Sequence, residues 1–439
     1  MSQQPNLLVI HTDQQSWWSV SACGGTLVHT PHTDSLAEEG AILTNYFNTT
    51  AVCTPSRGCL ITGRYPHAHG AYRNNLSINR DEVTFAQILL DQGYDTGYGG
   101  KWHLDGLRRP GWVHEDRGMG FADNQYMFNR GHWKKIEDTP MNGVQPTIFP
   151  YEVTGDETTY PTDWLAKKTI EFINRERDKP FCYMVSIPDP HGPFHTRAPY
   201  SDMYKPEDMP LPDTRLTEDH LPAWAKAARS APKDDRLRQA KAWYCGEVKL
   251  IDDCVGKILD ALRQKGILDQ TIVVFTSDHG EYMGEHGLMG KNQLYETAHR
   301  VPMMIRWPEK IKAGTRVEQC IGSVDFHPTI LGLMGVACCG REQGQDASAL
   351  LQGQEAGWGD VAFIHHASLN RAGIFTPEYE LAYVRDNEHI LFSRREDPDQ
   401  VDNLFGDPDY QGVIDNLTEQ IVAHNEAVEA PATEWLKAM

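Results

Sequence analysis

Short runs of apolar and β-branched residues alternate with helical patterns through most of this 439-residue chain, and no other feature restricts its fold as strongly. The apolar runs predict buried strands at residues 6–11, 96–98, 182–187 and 271–276. Helices are predicted at residues 33–39, 84–92, 164–176 and 236–266. Strands that alternate with helices favour an α/β fold in which a large, mostly parallel sheet is sandwiched between helices.

The pattern changes near Gly357. Beyond it, short strands are predicted at residues 361–365, 381–384 and 389–392, separated by polar residues as in antiparallel hairpins. An amphipathic helix is predicted from residue 411 to residue 427. We therefore expect a main domain over residues 1–355 and a small C-terminal α+β subdomain, with a short antiparallel sheet and a helix, over residues 356–439.

The charge and the cysteine pattern restrict the partners and the compartment. A formal net charge of −20 disfavours nucleic acid and anionic membranes, since both need a basic surface. No run of 18 uncharged apolar residues predicts a membrane span, and the first residues lack the basic segment of a secretory signal. The nine cysteines lack the spacing of a disulfide framework and are predicted to be reduced thiols. Together these features predict a cytoplasmic protein that binds neither nucleic acid nor membrane.

Side chains of reactive type follow four of the predicted strands. They are Asp13 and Gln14, Lys101 and His103, His191, and Asp278 and His279. In sheets of this type, ligands bind at the loops beyond the carboxyl ends of the strands. The sequence therefore predicts a catalytic centre at that edge of the sheet.

Asp278 and His279 form the first candidate metal site. With Asp13 and Gln14 they would offer oxygen ligands and one imidazole nitrogen. That set suits a hard divalent cation such as Ca²⁺ or Mg²⁺, and the imidazole also admits Mn²⁺. A second interpretation stays open, in which Asp278 caps a turn and His279 is a polar surface residue.

Cys53 is a candidate nucleophile. Pro55 and Ser56 suit the start of a helix, so Cys53 would lie just outside a helix N-terminus. Backbone N–H groups and the helix dipole lower the pKa of a thiol there, and Arg57 adds a positive charge within one turn. These features predict a thiolate nucleophile, and the alternative is a buried cysteine beside a turn.

Five segments resemble, in order, the motifs of the type I sulfatases, the formylglycine-dependent members of the alkaline phosphatase superfamily. They are residues 30–37 (TPHTDSLA), 53–64 (CTPSRGCLITGR), 99–104 (GGKWHL), 189–193 (DPHGP) and 277–302, which contains SDHGE, GK and RVP. The resemblance extends from about residue 5 to about residue 335. It implies an alkaline-phosphatase-like fold with a large mixed sheet, and it makes the main domain a catalytic sulfatase domain.

The resemblance also implies the reaction. In this family a maturation enzyme reads Cys-x-Pro-x-Arg and oxidises the cysteine to formylglycine, so Cys53 would carry an aldehyde. One hydroxyl of its hydrate, held at one divalent cation (Ca²⁺ in the first place), would attack the sulfur of a sulfate ester, with Asp278 as the base. His191, assisted by Lys291, would protonate the leaving alcohol. His103 would then deprotonate the second hydroxyl, so that sulfate leaves and the aldehyde returns.

Basic residues would neutralise the transferring group. The resemblance assigns this role to Arg57, Lys101 and Lys291, and such charge neutralisation usually makes the largest single contribution to catalysis in these reactions. Lys101 and His103 would share one face of an extended segment. The alternative interpretation of both lysines is that of solvated surface residues.

Two departures from the family pattern concern the metal. Many members carry Asp-Asp where this chain has Asp13-Gln14, and His279 stands where others have Asn. This combination resembles phosphonate monoester hydrolases, choline sulfatases and several sugar sulfatases, but the Lys-Trp-His motif that ends at His103 argues against the phosphonate hydrolases. Asn74 matches a substrate-pocket asparagine of some relatives and is otherwise an ordinary turn residue.

The implied function is hydrolysis of a small sulfate ester, either of a carbohydrate or of another alcohol or aryl group. A phosphodiester or phosphonate monoester hydrolase of the same superfamily is the first alternative, and a non-catalytic binding protein is the remote one. The long loop at residues 106–150, with aromatic residues that include Trp112 and Trp133, is predicted to shape the pocket for the alcohol.

Overall fold

The computed structural model describes residues 4–106, 111–138, 146–216, 218–354, 357–366 and 369–439. Its strands are β1 (Asn6–Thr12), β2 (Ala41–Phe47), β3 (Asp95–Lys101), β4 (Asp123–Phe128), β5 (Ile136–Glu137), β6 (Thr147–Ile148), β7 (Phe181–Ser186), β8 (Thr271–Ser277), β9 (Met303–Arg306), β10 (Thr315–Gly322), β11 (Ala362–His365), β12 (Arg371–Phe375), β13 (Tyr379–Val384) and β14 (Ile390–Ser393). Its α-helices are α1 (Pro31–Glu38), α2 (Cys53–Thr62), α3 (Pro66–His69), α4 (Phe85–Asp91), α5 (Pro161–Asn174), α6 (Ala223–Lys226), α7 (Asp234–Gln264), α8 (Glu296–His299), α9 (Phe326–Met334), α10 (Ser348–Leu351), α11 (Gln411–Ala427) and α12 (Ala432–Lys437).

The centre of the molecule is an eight-stranded sheet with the order β10-β2-β9-β8-β1-β7-β3-β4. Its neighbouring strands are parallel except where β9 pairs with β2 and β8, which are antiparallel contacts. The predicted large, mixed and mostly parallel sheet is therefore confirmed. The predicted strands at residues 6–11, 96–98, 182–187 and 271–276 correspond to β1, β3, β7 and β8, which are adjacent in the sheet.

Both faces of this sheet are buried. Successive residues of a strand point to opposite faces, and Leu7 and Val9 accordingly belong to one core cluster whereas Leu8 and Ile10 belong to the other. Side chains of α4, α9 and α10 complete the first cluster, and side chains of α1, α5 and α7 complete the second. The continuous apolar runs of the sequence arise because each central strand is covered on both sides.

The strands β11 to β14 form a separate antiparallel sheet in chain order, followed by α11 and α12. One face of this sheet packs on the main domain, where the rings of Phe47 and Phe375 stack with centroids 4.2 Å apart. The predicted small C-terminal subdomain is thus present. The predicted boundary between residues 355 and 356 lies outside the described residues and stays a prediction.

Two further sequence expectations concern membranes and cysteines. Among the helices that the structure describes, none is long and apolar enough to cross a membrane. The nine cysteines are free thiols, of which seven are buried and two, Cys338 and Cys339, are exposed.

Candidate active site

The carboxyl ends of the central strands bring the predicted site residues together. Asp13 follows β1, Lys101 ends β3 and Asp278 follows β8. The strand β1 lies between β8 and β7, and β3 is the next strand beyond β7, so these ends are neighbours at one edge of the sheet. The N-terminus of α2, which begins with Cys53, points into the same edge, since the Cys53 thiol lies 3.0 Å from His279 Nε2.

Four buried side chains there form a compact set of possible metal ligands. One ligand atom each from Asp13, Cys53, Asp278 and His279 lies within 4.8 Å of the others. Arg57 bridges the two carboxylates, with Nη2 at 2.9 Å from Asp278 and at 3.4 Å from Asp13. The other guanidinium nitrogens of Arg57 donate to Asp278 at 2.9 Å and to the carbonyl oxygen of Lys101 at 2.8 Å. One arginine thereby links the ends of three strands.

The chemistry of this set fits a divalent cation. His279 Nδ1 donates to the carbonyl oxygen of Gly280 at 3.0 Å, so the ring in its neutral form would direct the Nε2 lone pair toward the carboxylates. Burial lowers the pKa of His279, but the charges of Asp278 and Cys53 outweigh burial and raise this pKa. Burial also raises the pKa of Asp13, but Lys101 and other cations hold it well below its ordinary value. Two ionised carboxylates and one imidazole are suitable ligands for Ca²⁺, Mg²⁺ or Mn²⁺.

Gln14 lies beside this set with its amide turned outward. Its side-chain oxygen accepts a hydrogen bond from Lys291, and its side-chain nitrogen donates to Glu281. Its backbone N–H donates to Asp278 at 2.9 Å. Gln14 has a φ of 68° and His103 a φ of 57°, both in the left-handed region that non-glycine residues rarely adopt and that recurs at functional sites.

The backbone at His103 corrects one expectation. The segment after Lys101 is not extended, so Lys101 and His103 do not share the face of a strand. Trp102 points into the core, where it is 1% exposed. The carbonyl oxygen of His103 accepts the hydroxyl of Thr54 at 2.9 Å, which holds His103 beside the first turn of α2.

Cys53 also differs in detail from the prediction. It is the first residue of α2 rather than a residue just outside the helix, and Val52 is the N-cap. Burial raises the pKa of Cys53, but Lys101 and Lys291 outweigh burial and lower it to about 7. Asn74 accepts the backbone N–H of Thr54 at 3.1 Å and so satisfies one of the free N–H groups at this helix terminus.

The imidazole of His132 was not predicted as part of the site. It lies 3.0 Å from Lys101 Nζ and 3.5 Å from the Asp13 carboxylate, and its ring stacks on His191 with centroids 3.9 Å apart. Burial and the charge of Lys101 lower the pKa of His132 to about 3. Burial, His132 and Lys291 hold the pKa of His191 well below its ordinary value, so both rings are neutral. No motif of the sequence contains His132, and its position in the long loop at residues 106–150 was the only available signal.

A buried ion-pair network fixes the loop that carries His191. Lys134 donates to Asp189 and to Glu247, each at 2.7 Å. Asp189 also accepts the hydroxyl of Thr162 at 2.7 Å. Sequence reasoning missed Lys134 and Glu247 because they are 113 residues apart and match no motif.

A cavity of about 1110 Å³ opens above these residues. It is lined by Gln14, Val52, Tyr72, Arg73, Asn74, His191, Gly192, Phe194, Glu281, Met289, Gly290, Lys291, Asn292, His366, Leu369 and Arg371. The last three residues come from the C-terminal subdomain, so the main domain and the subdomain build the cavity together.

The described part of the loop at residues 106–150 does not line this cavity. Its segments 107–110 and 139–145 lie outside the described residues. Trp133 is 3% exposed, and Trp112 packs between Trp133 and Trp164 with ring centroids 6.1 and 6.5 Å away. Trp112 and Trp133 therefore support the core beneath the site and do not line the cavity, whereas a role of the rest of the loop in shaping the pocket stays a prediction.

Comparison with known proteins covers both parts of the molecule. The sequence model of the sulfatase family matches residues 5–336, and the model of the C-terminal region of N-sulphoglucosamine sulphohydrolase matches residues 284–427. An ulvan-active sulfatase of Formosa agariphila is 31% identical to this chain, with 95% of this chain and 80% of the relative covered. An N-acetylglucosamine-6-O-sulfatase of Bacteroides thetaiotaomicron is 28% identical, with 93% and 84% covered. The crystal structure of a phosphonate monoester hydrolase of Agrobacterium radiobacter has the same fold, with a TM-score of 0.81 at 24% identity and 98% and 97% of the two chains covered.

Proposed function

The chain belongs to the sulfatase family and is a sulfuric ester hydrolase, and we propose that it cleaves the sulfate ester of a small sulfated carbohydrate by means of a formylglycine derived from Cys53. The observation that carries this proposal is the convergence of Cys53, Arg57 and the buried ligand set at one edge of the sheet, directly beside a cavity that the neighbouring residues Gln14 and Val52 line. The names of the two sulfatase relatives support a carbohydrate as the alcohol part.

Asp13, Asp278 and His279 are proposed to hold one divalent cation, in the first place Ca²⁺, with position 53 and a reoriented Gln14 as further ligands. When bound, the cation would withdraw charge from the sulfate oxygens. Formylglycine at position 53 would supply, as its hydrate, one hydroxyl for attack and a second hydroxyl for release of sulfate, which a thiol does not have. These assignments explain why the carboxylates of Asp13 and Asp278 are buried together beside the N-terminus of α2. The positive end of the helix dipole stabilises an anion at that position.

The cations of the site differ in how free they are to bind a sulfate. Arg57 and Lys101 already contact Asp278 and Asp13, so they serve both the ligand set and the sulfate. Lys291 contacts only the neutral amide oxygen of Gln14 among its described partners, and it lines the cavity. We assign to Lys291 the closest contact with the sulfate group, since its charge is the least neutralised.

His191 is proposed to protonate the leaving alcohol. Its Nδ1 donates to the carbonyl oxygen of Gly192 at 2.8 Å, so Nε2 is the atom available to the substrate. The ring is neutral in the free protein because burial and two cationic neighbours lower its pKa. An anionic ester beside Lys291 would offset these charges and favour the protonated ring. His103, held beside the first turn of α2, is proposed as the base that restores the starting state.

Mass spectrometry tests the modification directly. The peptide that contains Val52–Arg57 is expected to be about 18 Da lighter than the cysteine form, since CHO replaces CH₂SH. Hydrolysis of 4-nitrophenyl sulfate should fall after treatment with a chelator and return with Ca²⁺, Mg²⁺ or Mn²⁺. An unmodified cysteine in protein that turns over repeatedly would contradict the proposed nucleophile.

A phosphodiester or phosphonate monoester hydrolase is the second candidate, since such an enzyme shares the fold and its esters also carry one negative charge. The rates on 4-nitrophenyl sulfate and on bis(4-nitrophenyl) phosphate at one pH separate the two. We expect the sulfate to react faster, and a faster phosphodiester would favour the second candidate. The maturation enzyme, the cytoplasmic location and the absence of nucleic-acid and membrane partners stay predictions.

A further inference from the structure

Arg371, the first residue of β12, extends from the C-terminal subdomain to the cavity that also contains His191 and Lys291. Its Nη1 donates to the carbonyl oxygen of Asn292 at 3.2 Å and to the side chain of Gln293 at 3.0 Å. Arg371 is therefore attached to the segment that directly follows Lys291. The two cations enter the cavity from two different parts of the fold.

The positive charge of Arg371 is not neutralised by the protein. Its polar partners are uncharged, and its guanidinium lies over the ring of Trp224 at 5.1 Å from the centroid. Within the described parts of the chain, no carboxylate is close enough to form an ion pair with it. Arg371 is also only partly exposed, and burial lowers its pKa.

Other arginines in buried positions behave differently. Arg394, in the same subdomain, pairs with Glu296 at 2.7 Å. Arg197 and Arg306 pair with Asp163 and Glu39 at 2.7 and 2.6 Å. The chain has 61 acidic and 41 basic residues, so carboxylates are in excess. Burial of a cation without a carboxylate partner is costly for folding, and an anionic ligand in the cavity would offset this cost.

We propose that Arg371 binds a second anionic group of the substrate, a carboxylate or another sulfate, on the side of the cavity that the C-terminal subdomain builds. The proposal rests on the proposed function, which puts the sulfate that is cleaved beside Lys291. A guanidinium presents several N–H donors in one plane, and this geometry matches carboxylate and sulfate oxygens. The substrate class is thereby narrowed to sulfated sugars that carry a uronic acid or more than one sulfate.

A structural role for Arg371 is the competing explanation, because it also holds the backbone at Asn292. The two explanations differ in what they predict for small inert anions. A binding role favours a dianion of the right length over a monoanion, whereas a structural role changes the binding of both equally.

Alkane-α,ω-disulfonates of two to six carbons, compared with alkanesulfonates of the same lengths, test this as competitive inhibitors of 4-nitrophenyl sulfate hydrolysis. In the wild type, the best disulfonate should bind about 10- to 100-fold more tightly than its monosulfonate, as expected for one charge-assisted pair. Arg371→Ala should reduce this ratio to about 1, and Arg371→Lys should restore part of it. The ratio of the two inhibition constants is measured within each variant, so an effect of the substitution on turnover cancels.

Arg385→Ala is the matched control, since Arg385 lies in the same subdomain, is 58% exposed and pairs with Asp386. It should leave both the ratio and the turnover unchanged. The proposal is overturned if no disulfonate is preferred, if Arg371→Ala keeps the preference, or if Arg73→Ala removes it instead. Calorimetric titration of the same compounds into Cys53→Ala protein gives the ratio without turnover. If the wild-type protein cleaves no sulfate ester but still prefers the disulfonate, the proposed function is contradicted and the second anion site is supported.

Discussion

The site has an inner end, which is the buried ligand set beneath the cavity, and an outer end, which is the lining of the cavity. The two ends differ in how their positive charges are balanced. At the inner end, Arg57 and Lys101 contact the carboxylates of Asp278 and Asp13 and are almost completely buried. At the outer end, Lys291 and Arg371 contact uncharged groups only, among the described residues. Removal of an inner cation takes an ion-pair partner away from a buried carboxylate, whereas removal of an outer cation does not. Stability and function are therefore coupled at the inner end and separable at the outer end.

Substitution of the proposed nucleophile should have the largest effect. Cys53→Ala is expected to lower turnover of 4-nitrophenyl sulfate by about 10⁴-fold or more, because no other group at the site can form and release the sulfated intermediate. The circular dichroism spectrum and the metal-free stability should change little, since only one sulfur atom is lost. Steady-state kinetics and urea unfolding measure the two effects.

Cys59→Ala is the control for this substitution. Cys59 is buried in the same helix and lies 3.7 Å from His69, away from the ligand set. It should lower the free energy of unfolding by about 1 kcal/mol and keep most of the turnover. Repeated turnover by the Cys53→Ala protein would exclude a covalent route through position 53.

Most residues of the inner end could be predicted from the sequence, because each of them lies in a short segment with a recognisable pattern. Cys53 and Arg57 lie on one helical turn, and Asp13, Lys101 and Asp278 directly follow or end apolar runs. Sheets of this type bring such strand ends together, so the motif order was sufficient to group them.

Other features depend on contacts between residues that are distant in sequence. His132 reaches Lys101 across 31 residues, and Arg371 reaches Asn292 across 79. In the sheet, β2, β4, β9 and β10 were not predicted, and β4 lies within the segment that was predicted to be a long loop. The strand β9 has only four residues and follows Pro302, and β10 is an edge strand with a mixed burial pattern. Whether such short or irregular segments form strands depends on their pairing in the tertiary structure and not on local propensity.

A comparison of two lysines sharpens the contrast between the ends. Lys101→Ala leaves the buried Asp13 with only the longer contact to Arg57 at 3.4 Å and should lower the free energy of unfolding by about 3 kcal/mol. Lys291→Ala removes only a hydrogen bond to Gln14 and should lower it by about 1 kcal/mol or less. Both should reduce kcat/KM by about 10²- to 10³-fold, because both charges act on the sulfate.

Urea unfolding in the presence of a chelator measures the stabilities without a contribution from bound metal. An equal loss of stability in the two variants would show that the inner and outer cations are not balanced differently. A normal kcat/KM in Lys291→Ala would remove this residue from the sulfate contact.

The attachment of the C-terminal subdomain should respond to acid, and this is the smallest expected effect. His365 and His424 face each other with their Nε2 atoms 3.1 Å apart, and His67 of the main domain stacks on His365 with centroids 5.6 Å apart. Burial and the His67 imidazole lower the pKa of His424 to about 3. Burial and the neighbouring imidazoles also hold the pKa of His365 well below its ordinary value. The folded protein therefore keeps both rings neutral.

In the unfolded chain these rings take up protons near pH 6.5, about their ordinary pKa. The stability that they contribute is thus fully present above about pH 6.5 and falls as the pH decreases toward the folded pKa. His424→Gln should reduce the slope of unfolding free energy against pH by about 1.4 kcal/mol per pH unit below pH 6.5, because one fewer proton is taken up on unfolding. Ile421→Val on the same helix should lower stability by about 1 kcal/mol at every pH and keep the wild-type slope. If His424→Gln also keeps that slope, His424 is charged in the folded protein, and the attachment of the C-terminal subdomain does not depend on neutral histidines.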